Sequence, residues 1–359
     1  MKRVAVWGFG ALGRAIVGAC ADGRDFVVTA VIDHDDTIVG GRISDVIAGF
    51  RGDLRVSSDP GAMSGADIIF HAATSEPSEV LLHLTAAVGS DCDVVTAAEW
   101  MFYPWLRYAD LAERIDREAR TGGRRVVGCG VNPGFAFDTI PLVLSQVVPG
   151  LRRLDVTRVA DVSGIGRSDF AHVGLGLKPD VFAERLSSGA IHGHIGFPES
   201  MAAVAERRGW PIDTIEESWE PVVAGREIRS AGGVVARGAV AGVVQRAVAS
   251  VDCHPCMSMT LEMLLDPDGA GRTAQETVIA EGTQTVTMTV SPSASPVSGA
   301  ATMMLHAARG LDHASPGLVS LLDLPLGGAE RLTRSLRAVG SARTDAGSLR
   351  LTLAEHAHD

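Results

Sequence analysis

Near the N-terminus a short apolar run, Arg3 to Trp7, leads straight into GFGALG, which sets Gly8, Gly10 and Gly13 in the G-x-G-x-x-G spacing. Helical periodicity starts at once with Ala11, Leu12, Ala15 and Ile16. A strand, a tight glycine turn and a helix in immediate succession constrain the fold more than any other stretch of this chain. The glycines let the backbone turn sharply, lay bare amides against a pyrophosphate at a helix N-terminus, and pack the helix onto the strand. The next apolar run, FVVTAVID, ends in Asp33, twenty residues after Gly13, where a carboxylate can take the adenine-ribose hydroxyls. The expected dinucleotide contacts are therefore Gly8, Phe9, Gly10, Ala11, Leu12, Gly13, Asp33 and His34. Asp33 would repel a 2′-phosphate and favours NAD(H), whereas His34 and Arg42 bring positive charge nearby and leave NADP(H) open.

The same rhythm continues. ADIIFHAAT (Ala66 to Thr74), DCDVVTAAE (Asp91 to Glu99) and RRVVGCG (Arg124 to Gly130) read as buried strands, separated by helical patterns over Ser78 to Ser90 and Tyr108 to Gly123. Such alternation predicts a Rossmann-type α/β fold, a parallel sheet wound on both faces, with ligands beyond the carboxyl ends of its strands. Those ends are Gly8, Asp33, His71 to Thr74, Ala98 to Glu99 and Gly130 to Asn132. Ala73 and Thr74 join the expected cofactor contacts on this ground. Glu99 stands before WMFYPW, and burial among Trp100, Phe102, Tyr103 and Trp105 would raise its pKa as an acid/base requires. The opposing reading is a solvated carboxylate at a helix start. Asn132, in the turn of GCGVNPGFAFDTIPL, is either plain turn chemistry or a residue lining a cleft. His71, alone in an apolar strand, reads as a satisfied core residue.

After Asn132 the alternation stops, and β patterns recur from Asp213 onward, which predicts an α+β second domain with a mostly antiparallel sheet. The expected division is 1–131 for the dinucleotide domain, 132–326 for a substrate-binding and oligomerisation domain, and 327–359 for an extension of unassigned role, a strap or a partly ordered tail. A net charge of −11 argues against a nucleic-acid or anionic-membrane partner, since both need a basic face. A small molecule is the expected partner. Five scattered cysteines form no secreted disulfide framework and fit a reducing, cytoplasmic setting. The N-terminus mimics a signal peptide, but Arg14 interrupts its apolar run. CHPC (Cys253 to Cys256) and the pair His192 and His194 lack the companions of a metal site, and no metal is expected.

The chain resembles the 2,4-diaminopentanoate dehydrogenases and related native amine dehydrogenases, whose first domain is similar to that of dihydrodipicolinate reductase. The likeness runs in order through GFGALGRAIV, VVTAAEWMFYPW, GCGVNPGFAFDTIPL, GHIGFPES with EPVVA after it, GAVAGVVQ and SPGLVSLLDLP. It implies an NAD(P)-dependent oxidoreductase that interconverts a carbonyl compound plus ammonia with an amine; a homodimer, joined through the second domain, is also expected. It also implies that Glu99 is the catalytic acid/base and that Asn132 and Phe137 lie at the cleft, near nicotinamide and substrate; Trp100, beside the reacting centre, and His194 are expected on the substrate side. An imine reductase and a non-catalytic dinucleotide-binding protein are the rival readings. The family's Glu-Glu-Leu is Glu99-Trp100-Met101 here, which alters the substrate pocket. The HHxxKxDAPSGTA segment of true dihydrodipicolinate reductases is missing, so that activity is not expected.

Overall fold

The computed structural model describes residues 1–166, 170, 172–191, 193–326, 334–343 and 349–357, the last two stretches by backbone alone. The first 128 residues alternate as expected. They form β1 (Lys2–Trp7), α1 (Ala11–Asp22), β2 (Phe26–Ile32), β3 (Val56–Ser57), β4 (Ile68–His71), α2 (Pro77–Gly89), β5 (Asp93–Thr96), α3 (Ala109–Gly122) and β6 (Arg125–Gly128). Alternate residues of these strands enter two separate cores, because successive side chains leave opposite faces of a sheet. Val4, Val6, Phe70 and Val127 pack towards α1, while Ala5, Trp7, Ile69 and Val126 pack towards α2 and α3. Burial of each such valine or isoleucine contributes about 1.5–3 kcal/mol, so a one-residue slip in register would be costly on both faces.

The second half contains α4 (Thr139–Ser145), β7 (Arg153–Asp161), α5 (Pro179–Ser187), α6 (Phe197–Arg208), β8 (Thr214–Val223), β9 (Ile228–Ser230), β10 (Gly233–Val235), β11 (Val240–Val251), β12 (His254–Leu264), β13 (Glu276–Glu281) and β14 (Thr285–Val290). Six of these strands make a sheet in the order β14-β13-β7-β12-β11-β8. All its pairs are antiparallel except β7 with β12. CHPC sits at the hairpin between β11 and β12, and all five cysteines are free.

The chain then returns to the first sheet through α7 (Ser298–Gly310), which packs on the α1 side, and β15 (Gly317–Val319). The first sheet is therefore seven-stranded, β15-β6-β5-β4-β1-β2-β3, and parallel throughout. This differs from an expected division that kept 132–326 together. The cause is tertiary: Leu318 donates its amide to Asp116 Oδ1 of α3 at 2.9 Å, and Gly317 donates to Arg124 O at 2.8 Å. A three-residue strand has no periodicity of its own to announce which sheet it joins. In the extension, β16 (Arg334–Arg343) and β17 (Leu349–Ala357) pair antiparallel, and the rest of 327–359 lies outside the described residues, as does His192. Among the described residues no helix is long and apolar enough to cross a membrane.

Candidate active site

The glycine turn after β1 packs directly on the chain leaving β4. Gly8 has φ +100°, and a Cβ there would stand 2.5 Å from Ala72 C, so only glycine fits. This sets the loop beside Ala73 and Thr74, both half-buried. Gly13 lies against Gly8 O, a contact that keeps α1 close to β1, whereas Gly10 at the N-cap of α1 faces open space. Asp33 accepts hydrogen bonds from Phe9 N at 2.6 Å and Asp35 N at 3.0 Å, which couples the end of β2 to the loop. The Phe9 ring is buried in the core, so only its backbone belongs to the loop surface; Leu12 packs against both halves, Ala11 is exposed, and the imidazole of His34 is solvated.

Beyond β5 the chain enters a short 3-10 turn, Glu99–Phe102, with Glu99 as its first residue. This turn sits hard against β6: a Cβ on Gly128 would fall 2.3 Å from Met101 C. Trp100 and Phe102 leave the turn towards opposite faces of the sheet and enter the two cores. Trp100 is 2% exposed, donates its indole N–H to Ser75 O at 3.0 Å and meets Tyr108 edge-on. Its ring is thereby committed to packing on the α2 and α3 side. The expected aromatic wall around Glu99 is replaced by a histidine, since Glu99 Oε1 lies 3.2 Å from His194 Nδ1.

His194 comes from the segment before α6 and is fastened by its backbone. Its N–H donates to Gln245 Oε1 at 3.0 Å, and its carbonyl accepts from Gln245 Nε2 at 2.8 Å. Gln245 stands on β11 and is fully buried, so this amide pair sets the loop against the second sheet. Gln245 Nε2 also reaches Glu217 Oε1 at 3.2 Å, and burial raises the carboxyl pKa of Glu217. Phe197 meets His194 edge-on, and Phe137, itself fully buried, meets Phe197 in the same way. Phe137 thus lies one layer behind the imidazole.

Asn132 enters the same place from β6. Its peptide bond to Pro133 is cis, and Pro133 Cδ is so close to Gly196 that a Cβ there would approach it to 2.8 Å and His194 Cε1 to 3.0 Å. Behind this turn Asp138, fully buried, accepts from Gly134 N at 2.9 Å, Thr139 N at 2.6 Å and Ser200 Oγ at 2.9 Å. Burial raises its pKa in opposition to those donors. Asn132 Oδ1 is buried and has no hydrogen-bond partner among the described residues.

A second clasp crosses between the halves. Arg107, downstream of the Glu99 turn, donates Nε and Nη2 to the two carboxylate oxygens of Glu199 on α6, both at 2.7 Å. Glu199 is fully buried, and burial pushes its carboxyl pKa up while the guanidinium opposes the shift. Gln245, Glu217, Arg107, Glu199 and Asp138 were not among the residues singled out from sequence. Of these, only Asp138 carried a readable signal, as a carboxylate directly before the apolar helix it caps.

The residues present fit a nicotinamide dinucleotide: a cleared glycine turn at a helix N-terminus, Asp33 at the end of β2, and an unsatisfied buried acceptor on Asn132 of the kind a carboxamide N–H completes. A carboxylate and an imidazole thus meet at the carboxyl edge of a parallel sheet whose glycine turn suits a dinucleotide. The signature of the 2,4-diaminopentanoate dehydrogenase C-terminal domain matches residues 135–337, more than half of the chain. The chain is 27% identical over 337 residues to 2,4-diaminopentanoate dehydrogenase of Acetoanaerobium sticklandii, covering 90% of this chain and 93% of that one. It is 25% identical over 188 residues to an amine dehydrogenase of Streptomyces virginiae, covering 50% and 52%. The amine dehydrogenase structure from Mycobacterium smegmatis shares the fold, with a TM-score of 0.81 at 20% identity over 92% of this chain and 97% of that one. The chain belongs to the 2,4-diaminopentanoate dehydrogenase family. It is an NAD(P)-dependent oxidoreductase of the amine dehydrogenase type.

Proposed function

We propose that this enzyme reductively aminates a ketone or aldehyde with ammonia and catalyses the reverse oxidative deamination, with Glu99 as acid/base and NAD(H) preferred to NADP(H). The observation that carries the assignment is the approach of Glu99 Oε1 to His194 Nδ1 at 3.2 Å, at the carboxyl edge of the parallel sheet. The glycine turn, Asp33, Ala73, Thr74 and Asn132 would hold the dinucleotide, which when bound exchanges a hydride with the substrate carbon. Ionised Glu99 stabilises the ammonium form of the amine and the cationic iminium. Protonated Glu99 delivers the proton with which the carbinolamine hydroxyl departs as water. His194 holds the carboxylate in place and offers Nδ1 as the next proton carrier, its own position set by Gln245. Asp33 at the end of β2 supports NAD(H), because a carboxylate beside the adenine ribose would repel a 2′-phosphate. The same reading expects a homodimer, and five scattered cysteines suit a reducing, cytoplasmic setting.

The test is NADH and NADPH oxidation with a carbonyl panel, with and without ammonium, and the reverse reaction with amines that include 2,4-diaminopentanoate. Ammonium-dependent oxidation, faster with NADH, is expected. Carbonyl turnover that is indifferent to ammonium would overturn the proposal.

A further inference from the structure

A cavity of about 500 Å³ lies between α4, the C-terminal turn of α6, α7 and the segment 321–326, well within the size of small-molecule sites. Glu99, Asn132, His194 and Gln245 do not line it. Leu142, Met303, Leu322 and Leu324 make it apolar, and Val143 and Leu326 carry that surface outward into solvent. Two arginines enter the wall with different fates. Arg207 is paired with Asp323 at 2.7 Å, whereas half-buried Arg208 has no carboxylate partner among the described residues, and its buried Nε has no acceptor among them. Beside it His306 also has a buried Nδ1 without a partner. Burial lowers the pKa of this imidazole, and Arg208 is the cation in this wall that lacks an ion-pair partner among the described residues.

In a chain of net charge −11, Arg208 is a half-buried cation that no carboxylate among the described residues neutralises. Buried donors without acceptors destabilise a fold unless something supplies the acceptor. The ligand chemistry follows from the two features together. A hydrocarbon chain removes the leucine and methionine surface from water, and a carboxylate at its end takes the guanidinium in a two-bond fork. We propose that this cavity binds a small aliphatic carboxylate, at a site separate from cofactor and substrate. Two of its walls begin at the cleft: α4 starts at the Asp138 turn that follows Asn132, and α6 starts just after His194. A bound carboxylate therefore touches the same two helices that flank those residues.

The test is calorimetric titration of the full chain with octanoate, using octanol as the uncharged analogue. Saturable binding of one octanoate per chain is expected, with octanol at least tenfold weaker. Arg208→Gln, near the end of α6, should weaken octanoate at least tenfold without affecting octanol. Met303→Trp, which fills the cavity, should abolish binding of both, and NADH should not displace octanoate from the wild type. The proposal is overturned by an absence of saturable binding, by unchanged affinity in Arg208→Gln, by displacement with NADH, or by a dimer that Met303→Trp dissociates, which would make this face a subunit contact.

Discussion

Replacing Arg107 with methionine removes one charge and leaves its partner, Glu199, fully buried without a counter-ion. The cost has a ceiling that can be worked out. A carboxylate that loses its cation in a dry site takes up a proton instead of remaining charged. If Glu199 then stays protonated in the folded chain and ionises with a pKa of about 4.3 when unfolded, the penalty is about 1.4 kcal/mol for each pH unit above that value. This is about 4 kcal/mol at pH 7 and about 1 kcal/mol at pH 5, comparable at neutrality with the loss of one partner from other buried pairs. The sign follows from burial. A group whose folded pKa is raised contributes stability below its unfolded pKa and loses it as pH rises towards the folded value, and Glu199 is shifted in that direction. Removing Arg107 extends the shift, so the gap between variant and wild type should widen from pH 5 to pH 7. Urea unfolding of both proteins at the two pH values measures it, and Arg107→Met combined with Glu199→Met should recover most of the loss. A gap that is the same at both pH values, or below about 1 kcal/mol at pH 7, would refute the reasoning.

Two further variants probe other parts of the site. Gly8→Ala forces a side chain into φ +100° and against Ala72 backbone, a strain of about 1–3 kcal/mol that is expected to weaken NADH at least about tenfold in a fluorescence titration; unchanged affinity would show that the turn does not cradle the cofactor. Gln245→Leu leaves both backbone groups of His194 unpaired, which should cost about 2–3 kcal/mol in urea unfolding and lower turnover with NADH affinity unchanged; a fall in cofactor affinity alone would contradict the positioning role.

The first sheet is legible because each strand and helix declares its own period, and because the glycine turn has a local cause that survives without tertiary information. The position of Glu99 at a strand end is legible for the same reason. Its surroundings are not. WMFYPW promises an aromatic wall, yet a 3-10 turn sends Trp100 and Phe102 into different cores, and the contact is made by His194, 95 residues away. Gln245 reads as one polar residue in a long β pattern until the register of β11 brings it to His194. Arg107 and Glu199 likewise lie 92 residues apart and are joined only when the halves close. The return of β15 to the first sheet depends on Asp116 of α3, a contact that no local pattern announces.

Proton transfer rests on one carboxyl group, and Glu99→Gln removes its charge with almost no change in shape. The variant should bind NADH as the wild type does, while single-turnover amination at saturating NADH and ammonium slows by about 100-fold or more. Near-wild-type turnover would contradict the assignment of proton transfer to Glu99, whatever the nucleotide-binding sheet is then found to do.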